Sequence, residues 1–174
     1  MRIYITGSVG SGKSTLARKA SARTGWPFYS LDEMVYQEDP TDSWGNRKRP
    51  EAEIAYRFSE ALAQKNYIME DAGRAQFEEG MARADQIILL DLPVALRKYR
   101  ILSRWIKQRL GLERCIYRPH LKMLRAMLRW LREYDTGRNG TRARAMRYPE
   151  KVRVLRSRKA VQEWISSLET AKKL

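Results

Sequence analysis

One cysteine, Cys115, and one histidine, His120, are all that 174 residues hold of either type. A lone cysteine cannot close an intramolecular disulfide, so the composition fits a reducing, cytoplasmic compartment. The same scarcity rules out a His/Cys metal cluster, and nothing around the two residues supports a nucleophilic Cys–His pair. No apolar run approaches the ~20 residues of a membrane-spanning helix. Ile3-Tyr4-Ile5 follows the first two residues directly, with no basic segment, apolar core or cleavage site before it, so no secretory leader is expected. Repeats and low-complexity tracts are missing as well. What is left is a single domain over 1–174 with one core, 43% hydrophobic and 32% charged.

Acidic residues run short in only one half. Residues 1–90 hold 12 Lys+Arg and 13 Asp+Glu, a net of −1, while residues 91–174 hold 23 and 7, a net of +16. The sum is the +15 of the whole chain. Such a basic half suits polyanions, whether nucleotide phosphates, a phosphorylated substrate or nucleic acid.

The decisive pattern is Gly7-Ser8-Val9-Gly10-Ser11-Gly12-Lys13-Ser14, the G-x-x-x-x-G-K-[ST] phosphate-binding loop. Residues 2–6 read as a buried strand before it, and Leu16, Ala17 and Ala20 recur at helical spacing after it. The glycines allow a curled backbone whose N–H groups converge on phosphate oxygens, and the following helix aims its positive end at the same anion. Lys13 is placed to neutralise the β- and γ-phosphates, and the Ser14 hydroxyl to ligate Mg²⁺. Strand and helix patterns then alternate, which argues for a parallel sheet with helices on both faces. Strands are expected at 2–6, 27–31, 67–70, 86–90 and 152–155. Residues 37–50 read as a loop. Helical stretches are expected at 51–65, 75–83, 94–110 and 119–134, with a break at 136–140. Ser157 is placed to cap a last helix carrying Val161, Trp164, Ile165 and Leu168.

Carboxyl ends of parallel strands are where ligands bind in open α/β sheets. Asp71 is placed there to hold the Mg²⁺ water shell opposite Ser14; the alternative is a helix-capping Asp, and Glu70 is the weaker candidate beside it. Asp32 is placed to meet an acceptor hydroxyl, unless it only caps a helical turn. Asp91 reads as a capping residue. Arg97, Arg100 and Arg104 share one helix face, where guanidinium forks can stabilise transferring phosphoryl charge; the alternative is a solvated face. Leu121, Leu124, Leu128 and Leu131 read as helix core, and Trp44 lies in the polar loop on the presumed acceptor side.

With these residues in view, the chain resembles the P-loop kinases of the adenylate-kinase-like type. It is most similar to the family of DNA topology modulation proteins (FlaR-related). The carrying stretches are Gly7 to Ser14, Ser30-Leu31-Asp32, Tyr67-Ile68-Met69-Glu70-Asp71, residues 84–93 with the arginines after them, and Val154-Leu155-Arg156-Ser157. The resemblance implies a three-layer α/β/α P-loop NTPase with a five-stranded parallel sheet, order 2-3-1-4-5, and a basic helical lid over about 94–147. It implies ATP and Mg²⁺ as ligands, with nucleotide contacts from Gly7 to Thr15 and from Arg156. Arg74 is the residue that would bind an acceptor phosphate. The Asp-Gly pair of nucleotide kinases is here Asp71-Ala72, with Gly73 one place later. The activity expected is transfer of the γ-phosphoryl group to a nucleotide, nucleoside or other hydroxylated small molecule. Catalytic roles fall to Lys13, Asp32, Arg100 and Arg104. The alternative is a nucleotide-binding protein that acts on or with nucleic acid.

Overall fold

The fold comes from a computed structural model that describes residues 1–113, 115, 117–134 and 140–172. Residues 136–139 of the expected break lie outside these, as do 114, 116 and 135 within the expected lid span. In chain order, β1 (Arg2–Gly7) leads through the glycine loop to α1 (Lys13–Thr24), then β2 (Phe28–Ser30) and the short α2 (Leu31–Val35). A hairpin of β3 (Tyr36–Glu38) and β4 (Asn46–Lys48) precedes α3 (Glu51–Leu62) and β5 (Tyr67–Asp71). A 3-10 turn (Ala75–Phe77) and α4 (Glu78–Arg83) return the chain to β6 (Gln86–Leu90). Next come α5 (Val94–Arg109), α6 (Leu121–Glu133) and α7 (Thr141–Ala145), then β7 (Val152–Leu155) and α8 (Arg158–Lys172).

The main sheet is parallel, in the order β2-β5-β1-β6-β7. Counted among the five sheet strands alone, that is the expected 2-3-1-4-5; the numbering shifts only because β3 and β4 form a separate hairpin. Alternation along each strand divides the core in two. Ile3, Ile5, Ile68 and Ile88 face α1 and α8, packing on Leu16, Ala17 and the fully buried Trp164. Tyr4, Tyr67, Met69, Ile87 and Leu89 face α3 and α4, against Ile54, Phe58 and Met81. Apolar residues on both strand faces are what a helix-covered parallel sheet requires. Each large side chain so buried is worth about 1.5–3 kcal/mol. A third cluster of Ile101, Met127 and Leu131 joins α5 to α6, with Leu124 and Leu128 half-buried against it, while Leu121 is exposed. Ser157 accepts from the Ala160 N–H at 3.1 Å, as a cap for α8 should.

Two elements differ from expectation. Residues 37–50 are not a plain loop, since the hairpin that starts at Tyr36 runs through them to Lys48. Its strands, Tyr-Gln-Glu and Asn-Arg-Lys, carry no apolar alternation, so no strand signal shows. Side-chain turns fold the tip: Asp39 accepts from the Thr41 N–H at 3.0 Å and Asp42 from the Trp44 N–H at 2.7 Å. Helix α7 was not expected either, because five residues are too short to display a period.

Candidate functional site

Strand ends at Gly7, Ser30, Asp71, Leu90 and Leu155 fall along one edge of the sheet, because the parallel register aligns them. The glycine loop crosses this edge between β1 and α1. Gly12 takes φ +93° as the residue preceding α1 and turns the loop into the helix. Helix α5 lies against the loop so closely that a Cβ on Gly10 would sit 2.6 Å from the Arg97 carbonyl oxygen. From α5, the buried Arg97 donates to Ser8 Oγ at 2.7 Å and stacks on Tyr134 at 5.0 Å. One turn on, Arg100 donates to the Ser11 carbonyl at 2.8 Å. Burial first, and the neighbouring Arg158 second, hold the Arg100 guanidinium below its ordinary pKa. Arg100 and Arg158, held close with no carboxylate in ion-pair reach of either among the described residues, make a setting for an anion.

On β5, strand alternation separates two neighbouring acids. Glu70 shares its face with Ile68 and looks toward α1, while Asp71 shares its face with Met69. Glu70 therefore accepts from Ser14 Oγ at 3.0 Å and from Ser30 Oγ at 3.1 Å. Asp71, the residue expected opposite Ser14, is instead fully buried on the other face. It accepts from the Gly73 N–H at 2.6 Å, the Arg74 N–H at 2.5 Å, Arg74 Nη1 at 2.7 Å and Tyr4 Oη at 3.4 Å. Four donors hold it there, on the face away from Ser14, so the acid beside the loop serine is shifted back by one residue. Burial raises the Glu70 pKa, against the opposing pull of Lys13. Glu70 Oε2 is buried and meets no hydrogen-bond partner among the described residues. An unfilled carboxylate oxygen beside a serine hydroxyl is a donor set that fits Mg²⁺ or one of its waters.

Asp32 lies in the first turn of α2, two residues past the end of β2. Arg74 bridges it to Asp71: Nη2 donates to Asp32 Oδ1 while Nη1 holds Asp71. Burial on its own would raise the Asp32 carboxyl; Arg74, Lys13 and Arg104 outweigh it and hold the pKa below the ordinary value. Asp32 thus stays ionised as a fixed hydrogen-bond acceptor on the cleft wall.

A profile of the AAA domain family matches residues 3–113, from β1 to just past α5. The chain belongs to the AAA domain family. A stretch of 35 residues is 51% identical to the shikimate kinase of Salinibacter ruber (strain DSM 13855 / M31), covering 20% of this chain and 17% of that protein. Over whole chains, the AAA domain resembles a shikimate kinase from Acinetobacter baumannii solved in complex with shikimate. That match has a TM-score of 0.53 and 17% identity, over 98% of this chain and 91% of that one. It also resembles a gluconokinase from Sinorhizobium meliloti 1021, with a TM-score of 0.52 and 14% identity, over 99% and 93%. At these identities the likeness shows the P-loop kinase fold.

Gly7 to Thr15, Asp32, Glu70, Arg74, Arg100 and Arg104 of this AAA domain all line one cleft of about 2070 Å³. Asp71 lies beneath its floor. Arg104 pairs with Glu113 at 3.0 Å at the open side. Arg156 is outside the cleft lining, drawn to Asp91 at 3.8 Å. Asp91 is an anchor rather than a cap, because Arg142 of α7 also reaches it at 3.0 Å. His120 Nε2 lies 3.3 Å from the Ser43 carbonyl, and Cys115 Sγ donates to the Tyr117 carbonyl at 2.7 Å. Trp44 lines the hairpin wall. Sequence reasoning passed over Ser30, Thr141 and Arg144. The last two, from α7, donate to the Ala72 and Gly73 carbonyls just past β5. Only the period-2 pattern of β5 could have promoted Glu70 over Asp71. No helix among the described residues is long and apolar enough to cross a membrane.

Proposed function

We propose that this AAA domain is an ATP-dependent small-molecule kinase that moves the γ-phosphoryl group to a hydroxyl of a small acceptor. One observation carries the reading: Lys13 and Ser14 of the phosphate loop and the ionised Asp32 line the same cleft, with Glu70 hydrogen-bonded to Ser14 and Ser30 between them. The volume supports it. About 2070 Å³ exceeds the roughly 300–1,000 Å³ of a single-ligand site, and suits a nucleotide and an acceptor side by side. The shikimate kinase and gluconokinase likenesses point to the same class of chemistry.

In this mechanism the loop amides and the N-terminus of α1 grip the β- and γ-phosphates. Ser14 and Glu70 would hold Mg²⁺, which supplies neutralising charge at those phosphates when bound. Lys13, Arg100 and Arg104 stabilise the charge on the equatorial oxygens as the group passes. Asp32 accepts a hydrogen bond from the acceptor hydroxyl and points its oxygen at the γ-phosphorus. The new O–P bond forms as the bond to the β–γ bridging oxygen breaks and ADP leaves. The hydroxyl proton passes to Asp32 and then to water. A carboxylate with a depressed pKa is a poor base, so orientation is its main contribution.

The test is ADP release with MgATP over a panel of nucleosides, nucleoside monophosphates, sugars and hydroxy acids. Acceptor-dependent release that disappears in Lys13→Ala is the expected result. Folded protein with no calorimetric heat and no thermal shift with any purine triphosphate sinks the reading. A second reading, a nucleic-acid partner, draws on Lys122, Arg125, Arg129 and Arg132, an exposed stripe on α6 at spacings of three and four. Absence of duplex binding at low salt ends it.

A further inference from the structure

Seven cations along the cleft contrast in how they are paired, while Arg104, at the open side, is held by Glu113 at 3.0 Å. On the loop side, Lys13, Arg100 and Arg158 have no carboxylate within ion-pair distance among the described residues. On the hairpin side, four cations bring their own acids. Arg47 pairs with Asp39 at 3.7 Å, Lys48 with Glu51, and Arg49 with Glu53 at 3.1 Å. Arg74 is held by two, Asp32 and Asp71. We propose that the acceptor is a hydroxylated small molecule that carries no phosphate group. The inference rests on the kinase reading of the same cleft and narrows its substrate class.

Arg74 decides the matter, because it is the cation beside Asp32, where the acceptor hydroxyl sits. Exposed pairs such as Lys48–Glu51 give way easily and would not by themselves exclude an anion. Arg74 differs. Both terminal nitrogens are engaged, and one of them covers a carboxylate with no solvent exposure. Moving it toward an acceptor phosphate would strip Asp71 of its counter-charge in the interior. Asp71 also caps the turn through the Gly73 and Arg74 amides, so the turn itself fixes where the guanidinium points. Asp32 and Asp71 therefore balance the Arg74 charge before any acceptor arrives, and a neutral hydroxyl needs only the Asp32 oxygen. Arg144, also on this wall, has no carboxylate in ion-pair reach among the described residues; its Nη1 is held by the Gly73 carbonyl just past β5.

The experiment is calorimetry on the full chain saturated with magnesium and a non-hydrolysable ATP analogue. The probes are the four common nucleoside 5′-monophosphates and glucose 6-phosphate. The expected result is no monoester binding tighter than millimolar by the wild type. Asp32→Ala releases one end of Arg74 while Asp71 keeps the other, so this variant should gain at least tenfold affinity for one or more monoesters. Micromolar binding of a monoester by the wild type, or ADP release when a monoester meets MgATP, overturns the inference. So does an Asp32→Ala protein, folded by circular dichroism, that gains nothing. Failure of the ATP analogue itself to bind is a different result: it removes the kinase reading, and this inference with it.

Discussion

On the loop wall of the cleft, Lys13, Arg100 and Arg158 gather with no carboxylate in ion-pair reach among the described residues, whereas on the hairpin wall Arg47, Lys48, Arg49 and Arg74 each hold one or two. The pKa directions follow that division. Arg100 is pulled down by burial and by Arg158, while Arg74, despite burial, is held above its ordinary value by Asp32 and Asp71. A wall of like charges is at its most favourable only when an anion arrives, and a wall of paired charges is complete beforehand. The first is built to gain from a triphosphate; the second is built to present one oriented carboxylate. A triphosphate at a hundred times its Kd should therefore stabilise the fold by about 2.7 kcal/mol through binding alone.

The harshest way to break this comparison is to remove the central unpaired cation. Lys13→Ala should lower kcat by about 10²–10³-fold or more, the usual cost of losing a donor aimed at transition-state charge. Steady-state ADP release reads the loss, and circular dichroism should be unchanged, because the Lys13 side chain holds no structural partner among the described residues. Retained full activity would mean that the loop wall is not where charge develops.

Next is the paired wall. Arg74→Met leaves Asp71 buried without its counter-ion. A fully buried pair broken in this way costs about 3–5 kcal/mol; with Arg74 about a quarter exposed, about 2–3 kcal/mol is expected in urea unfolding. The variant also acts on Asp32. In the wild type that carboxyl is depressed, so its contribution is present above the ordinary carboxylate pKa and lost only as pH falls through the lower folded value. Without Arg74, burial is opposed by Lys13 and Arg104 alone, so the acid limb of kcat/KM should move to higher pH. Arg74→Lys should restore part of the stability but not the bidentate hold. An acid limb that stays in place would detach Asp32 from Arg74.

How much of this was readable beforehand follows from the same chemistry. The glycine loop states its task in its own residue types, so Gly7 to Ser14 and the flanking β1 and α1 were legible. The five sheet strands were legible too, since Ile3-Tyr4-Ile5 and Ile87-Ile88-Leu89-Leu90 are apolar on both faces. Pairings across the chain were not. The Arg74–Asp32 contact joins residues 42 positions apart, and no local pattern announces it. The exchange of Glu70 for Asp71 turns on strand phase, where one residue of register reverses the face. The hairpin stayed hidden because polar strands lack a period.

That exchange gives a sharper test at the seam between the walls. Glu70→Gln keeps the shape and the hydrogen-bond acceptor for Ser14 and Ser30 but removes the charge. The magnesium needed for half-maximal nucleotide affinity should rise about tenfold, in the range seen when a metal site loses a supporting group. Thermal stability should hold or improve, because the Glu70 carboxylate is buried with one oxygen unpartnered. Asp71→Asn should do the reverse: lower stability with a smaller effect on magnesium. Calorimetric magnesium titrations beside melting curves separate the two. If Asp71→Asn abolishes the magnesium response and Glu70→Gln does not, the metal belongs to the other face of β5.

The gentlest test concerns the hairpin wall. Lys48 and Glu51 pair near the start of α3, and both are well exposed, at 48% and 70% of the side chain. Water screens such a pair, and holding two long side chains together costs rotamer freedom, so the net contribution is about 0–1 kcal/mol. Lys48→Ala should therefore shift unfolding by no more than about 0.5 kcal/mol and leave nucleotide affinity unchanged. Arg158→Ala, a single-cation loss from the opposite wall, should leave stability equally untouched yet weaken triphosphate binding several-fold, because no protein carboxylate among those described shares its charge. Two alanine substitutions with equal melting curves and unequal nucleotide affinities would tie the division of charge to the ligand. Equal affinities would reduce it to an accident of surface pairing.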